Sequence, residues 1–133
     1  MTDAQELADR YVAVWNETDD EARRRAIAAL WTPQGAHYVG EREAHGHAAL
    51  EQRIAGSHDK NVRLNRNRFR AVRNARALRD VVTFNWEMLP QDGVQVLATG
   101  LEFLIVDAAG QILVDYQFVV AGAPAPAIAN SSA

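Results

Sequence analysis

Two carboxylates, Glu102 and Asp115, lie in the two apolar stretches near the end of the chain, at a spacing that lets a hairpin bring them together. Val94 to Val106 and Ile112 to Ala121 both alternate strongly, and Asp107-Ala108-Ala109-Gly110 between them is rich in turn formers. With Val106 opposite Gln111, Glu102 falls directly opposite Asp115. Alternation then gathers Ala98, Gly100, Glu102, Leu104 and Val106 on one face with Leu113, Asp115, Gln117 and Val119. Two acids so opposed in partly apolar surroundings cannot easily both ionise, so one is expected to stay neutral beside a carboxylate. Such a pair can protonate a carbonyl-like oxygen, hold an enol or take up a proton. The alternative is that an arginine or a water neutralises the pair and it does no chemistry. A slip of one residue would move one acid to the other face.

Other chemistries find less support. His37, His45, His47 and His58 lack the i, i+4 helical spacing of a zinc pair, and with no cysteine in the chain no metal site is expected. His37 itself reads as a surface or packing residue, since alternation favours Tyr38 as the inward side chain. There is no GxGxxG or GxxxxGK[ST] loop for nucleotide phosphates and no GxSxG elbow. Seven arginines from Arg63 to Arg79 fall within 17 residues, with Phe69 the only interleaved aromatic. That pattern fits a solvated sheet face better than a base-stacking platform, and the net charge of −3 disfavours nucleic acid as a partner.

The elements that must position the acids can be read from periodicity. Thr2 and Gln5 suggest a capping box, after which Leu7, Tyr11, Val14 and Trp15 recur along one helical face. Asn16 to Asp19 ends that helix and offers caps to a second over Asp20 to Trp31. This second helix turns Ala26, Ile27, Leu30 and Trp31 inward and Arg23 to Arg25 mostly outward, and Pro33 and Gly35 stop it. Ala36 to Val39 is extended, and His47 to Gly56 forms a third helix with Leu50 and Ile54 on its apolar side. Strands follow over Val62 to Val72, Leu78 to Met88 and the closing hairpin, and Phe84, Trp86 and Met88 share one strand face. Helices first and an antiparallel meander afterwards give an α+β fold with the helices on one sheet face. Residues 122–133, rich in Ala, Pro and Ser, read as a flexible tail behind a single domain over residues 1–121. At 48% apolar and 23% charged residues, with no membrane-length apolar run and no secretory start, a cytoplasmic protein without membrane contacts is expected.

The order of elements, with several local matches, resembles the SnoaL-like and ketosteroid-isomerase-like branch of the nuclear-transport-factor-2-like superfamily. The matching pieces are Arg10 to Asn16, Ala29-Leu30-Trp31 with Gly35-Ala36, His45-Gly46, Phe84 to Met88, Gly100-Leu101-Glu102 and Asp107 to Ile112. The resemblance covers residues from about 7 to 120. It implies a cystatin-like cone, a curved antiparallel sheet wrapped around the N-terminal helices with a pocket between them. It also implies that Tyr11 and Glu102 stand where ketosteroid isomerases donate to a developing oxyanion. The isomerase's general-base aspartate falls at Gly40, which cannot abstract a proton, and Asp115 replaces an apolar wall position.

The resulting expectation is cofactor-free acid–base chemistry, an isomerase, cyclase or dehydratase acting on an apolar oxygenated ligand. Tyr11 and Glu102 would be donors and Asp115 the proton acceptor, with Trp15, Tyr38, Phe84, Trp86, Met88 and Gln117 around the ligand. The rival is a non-catalytic binding or dimerisation module of the same fold. Seven large side chains (Leu101, Phe103, Ile105, Ile112, Val114, Tyr116 and Phe118) share the face turned away from the helices, so a homodimer through that face is expected.

Overall fold

The computed structural model describes residues 3–121, so the expected 122–133 tail lies outside the described residues. Helix α1 (Ala4–Asn16) starts at Asp3, whose carboxylate accepts from the Glu6 backbone N–H at 3.1 Å. Asp3, not Thr2, is therefore the cap, and Gln5 instead binds the backbone at Val72 and Ala75. Helix α2 (Asp20–Leu30) is capped in the same way by Asp19, which accepts from Ala22 N–H at 2.7 Å. It ends one residue early: Trp31 is already extended and opens strand β1 (Trp31–Val39), and Pro33 next holds Thr32 out of the helical region. Trp31 remains fully buried.

Arg23 departs from the outward placement expected of it and is only 2% exposed. Its guanidinium bonds Asp20 at 2.7 Å and the Glu17 carbonyl at 2.6 Å, tying the start of α2 to the end of α1. A long arginine can cover apolar surface with its stem, so a polar letter in a helical pattern does not mark it as exposed.

Strand β2 (Arg42–His45) turns back on β1 and leads into α3 (Gly46–Ser57). The winding continues as a π-helical segment, His58–Leu64, where a strand from Val62 was expected. No glycine or proline interrupts residues 57–65, and Val62 is buried as part of the helical layer. Strands β3 (Asn67–Ala71), β4 (Arg76–Leu78), β5 (Val81–Pro90), β6 (Ala98–Val106) and β7 (Ile112–Ala121) complete the fold. Val94 to Leu97 does not join β6, and Val94 is exposed with no packed side to alternate against.

The strands form one mixed sheet in the order β2-β1-β7-β6-β5-β3, with β4 also paired to β5. Every pair is antiparallel except β1 with β7, the first and last strands, which have no hairpin fixing their relative direction. The helices cover one face, burying Leu7, Tyr11, Ile27, Leu50 and Ile54 against Val82, Phe84 and Leu104. The other face leaves Leu101, Phe103, Tyr116 and Phe118 partly exposed, Phe118 by 61%.

The β6–β7 register differs from the expected one by a defined amount. Asp107 accepts from the backbone N–H groups of Ala109 and Gln111, and its own N–H bonds the Gln111 carbonyl, so the hairpin closes one residue later than anticipated. Val106 then faces Ile112, a bulge follows, and Leu104 faces Asp115 while Glu102 faces Gln117. Leu113 is the extra residue: it points out, and Ile112 points in, the reverse of the expected alternation. The combined shift is two residues, so Asp115 and Gln117 keep their face even though Glu102 and Asp115 are not directly opposed.

Candidate functional site

Tyr11, midway along α1, projects from the helical layer onto β6 and β7. Its hydroxyl oxygen lies 2.9 Å from Glu102 Oε1 and 2.6 Å from Asp115 Oδ2. Both acids are fully buried. On the far side of Glu102, the Trp86 indole N–H donates to Oε2 at 2.7 Å. Trp86 reaches it because Gly100, its partner across β5–β6, has no side chain: a Cβ there would come within 2.2 Å of the indole.

A phenol has one proton to donate, so the two short contacts of Tyr11 require one acid to supply the second proton. Burial, and next the charge of Asp115, push the Glu102 carboxyl well above its usual range. Burial and the two neighbouring acids also raise Tyr11, so it holds its proton. The consistent arrangement is neutral Glu102 donating to the Tyr11 oxygen and Tyr11 donating to the Asp115 carboxylate. One negative charge is then shared along three groups. Asp115 Oδ1 has no hydrogen-bond partner among the described residues.

His37 joins this cluster, contrary to the expectation that Tyr38 would face inward. A register shift in β1 between Trp31 and Ala36 breaks the simple alternation and brings His37 beside Asp115 across the parallel pair. Its Nε2 lies 3.0 Å from the Gln117 side-chain oxygen and 3.7 Å from Asp115 Oδ2, and its Nδ1 has no partner among the described residues. Tyr38 lies on the outer face, stacked on Tyr116 at 5.5 Å. His37, Glu102 and Asp115 offer ligand atoms within 4.8 Å of one another, a grouping to which histidine spacing alone did not point. Three of the four oxygens of the two acids are already engaged by Tyr11 and Trp86.

Beside the network lies a cavity of about 520 Å³, lined by Tyr11, Trp15, Trp86, Met88 and Gln117 and also by Val12, Phe69 and Ala98. The volume is in the range of small-molecule sites, roughly 300–1,000 Å³. Glu102 and Asp115 do not line it; they sit behind Tyr11. Phe84 is also behind the wall, edge-on to Tyr11 at 5.4 Å. Gly40 occupies an exposed turn at φ +58°, and Glu41 beside it is exposed, so neither supplies a base to the cavity.

Arg42, Arg53 and Lys60 also line the cavity, and sequence reasoning missed all three. They come from β2, α3 and the π-helical segment, elements whose polar positions carry no periodic signal. Arg68, Arg70 and Arg73, within the arginine-rich stretch, instead bond Pro90 O and Gly93 O, Glu87, and Asp9 respectively, away from the cavity.

Two outcomes test this geometry. Gly100→Ala forces the Trp86 ring away from Glu102, and a loss of about 1–3 kcal/mol in urea unfolding is expected, with a shifted tryptophan emission; an unchanged spectrum and stability would contradict the close approach. The second concerns pH. Native Glu102 binds its proton more tightly than the unfolded chain does, so its contribution is fully present below the unfolded value and is lost as pH rises through the native one. Glu102→Gln, a neutral isostere, should therefore gain stability relative to wild type between pH 5 and pH 8 (about the span above the unfolded carboxyl range). A constant difference across that span would show that Glu102 is not held protonated.

No protein-family profile matches the chain. No curated protein matches it either. Solved structures do. A candidate isomerase of the SnoaL-like family from Agrobacterium tumefaciens str. C58 superposes with a TM-score of 0.81 at 22% identity, over 90% of this chain and 99% of that one. A candidate polyketide cyclase from Sinorhizobium meliloti superposes at 0.64 with 9% identity, over 84% and 93%. A de novo designed protein with a curved β-sheet reaches 0.67 at 14% identity, over 90% and 88%. With three helices on one face of a curved seven-stranded sheet, the chain has the cystatin-like, nuclear-transport-factor-2-like fold of the SnoaL-like proteins.

Proposed function

We propose that the protein is a SnoaL-like enzyme carrying out cofactor-free acid–base chemistry on an apolar oxygenated ligand. Isomerisation, cyclisation and dehydration all fall within this reading. The observation that carries it is the Tyr11 hydroxyl bridging two buried acids, on a residue that itself lines a cavity.

The residues divide the work. Tyr11 touches the ligand; Glu102 and Asp115 act through it as proton donor and acceptor. When a ligand group gives a proton to the Tyr11 oxygen, the phenolic proton passes to Asp115. When a ligand oxygen takes the phenolic proton, Glu102 replaces it. A proton removed at one ligand position and returned at another leaves the network one internal transfer from its starting state. Trp15, Trp86 and Met88 supply apolar wall, where such contacts are stronger than in water.

The second reading, a non-catalytic binding or dimerisation module, is favoured by Gly40 and by the withdrawal of both acids from the cavity surface. Titration with naphthols and phenols, read by quenching of Trp15 and Trp86, separates the two. Saturable, pH-dependent binding is expected, weakened about tenfold in Tyr11→Phe and Glu102→Gln. Absence of binding, or binding indifferent to both substitutions, would leave the module reading ahead.

We also propose that the outer face pairs with a second copy of the chain. Leu101, Phe103, Tyr116 and Phe118 supply its exposed apolar surface, and Ile105 and Val114 are half-buried beside them. Sedimentation should give a dimer, and Phe103→Glu a folded monomer. A wild-type monomer at high concentration would overturn the pairing.

A further inference from the structure

Three cations converge at the cavity from three separate elements: Arg42 from β2, Arg53 from α3 and Lys60 from the π-helical segment. Among the described residues, no Asp or Glu lines the cavity with them. Among the described residues none of the three is ion-paired, whereas Arg23, Arg24, Arg63, Arg70 and Arg73 each meet a carboxylate. The chain as a whole is acidic, at −3, so the cluster is not the by-product of a basic composition.

Arg53 is the most constrained of the three. It is half-buried, its guanidinium stands 5.7 Å from the centre of the Trp15 ring, and its Nε has no hydrogen-bond partner among the described residues. Burial, then repulsion from nearby Arg42, pull its guanidinium below the usual range. Like charges held together beside apolar walls are unfavourable until an anion joins them. The acidic network behind Tyr11 attracts Arg53, and among the described residues it makes no hydrogen bond to it.

We propose that the cavity takes an amphipathic organic acid, its carboxylate held by Arg53 and Arg42 at the mouth and its aromatic or apolar body lying against Trp15 and Trp86. The ligand's reacting oxygen then meets Tyr11 at the inner end. Arg53 suits this task, since a planar guanidinium grips a carboxylate through two parallel hydrogen bonds while its face lies on an indole. Lys60 adds positive potential at the entrance without a fixed geometry. This identification of the ligand class rests on the cavity being the ligand site.

Calorimetric titration with a hydroxynaphthoic acid, its methyl ester and the parent naphthol tests it near neutral pH. The acid should bind at least about tenfold more tightly than the ester. That preference should shrink with added salt and largely vanish in Arg53→Gln and Arg42→Gln, with ester binding unchanged, while Arg53→Lys keeps part of it. Arg42 is exposed, so its variant and the salt series still decide the matter if Arg53→Gln does not fold. Equal binding of acid and ester to wild type overturns the ligand class while leaving the cavity as the binding site. Failure of all three compounds to bind overturns both.

Discussion

Two carboxylates with no exposure to water, Glu102 and Asp115, set the terms on which this core can fold. Burying two ionised acids side by side would cost several kcal/mol per charge. Burial and the neighbouring Asp115 push Glu102 toward its neutral form, and the Tyr11 hydroxyl lies between the acids. One charge, distributed along three hydrogen-bonded groups, is left in the core. The Trp86 indole holds the remaining Glu102 oxygen, and His37 stands near Asp115. Each of these neighbours comes from a different element, so the network also fixes how α1, β1, β5, β6 and β7 sit against one another.

That requirement accounts for irregularities that otherwise look arbitrary. Gly100 sacrifices strand propensity so that the Trp86 ring can lie across β6 and reach Glu102. The bulge at the β6–β7 turn adds Leu113 to the outer face and leaves Asp115 pointing in. The shift in β1 turns His37 toward Asp115 and sends Tyr38 out to stack on Tyr116. Bulges are the local means by which a strand changes which side chains face a site.

The same irregularities explain what could be read in the sequence. Helical faces containing Tyr11 and Trp15, and the strand face of Phe84, Trp86 and Met88, follow from regular periods and were legible. So was the shared burial of Glu102 and Asp115, because a register error of two residues preserves parity. Their direct opposition was not legible, since the turn closes through backbone bonds to Asp107 that no alternation pattern encodes. His37 was misplaced because alternation counts fail across a bulge that leaves no signature in residue type. Arg53 was invisible for a different reason: an arginine on a helix reads as solvent-facing unless the cavity beneath it is known.

The arrangement separates two electrostatic regions that a single Tyr ring divides. Behind Tyr11 lies a buried pair of acids; in front lies a cavity whose lining includes Arg42, Arg53 and Lys60 and, among the described residues, no carboxylate. A designed protein shares the curved sheet, so the sheet by itself carries no chemistry. The polarity lies in the lining, where Arg42, Arg53 and Lys60 share a cavity with Tyr11, itself backed by two acids. A neutral apolar ligand would satisfy the tryptophans and leave both ends unused. A ligand with an anionic end and an oxygen at the other would be oriented by the first and activated at the second. Because neither Glu102 nor Asp115 lines the cavity, the proposed chemistry would reach a ligand through the Tyr11 hydroxyl that bridges them.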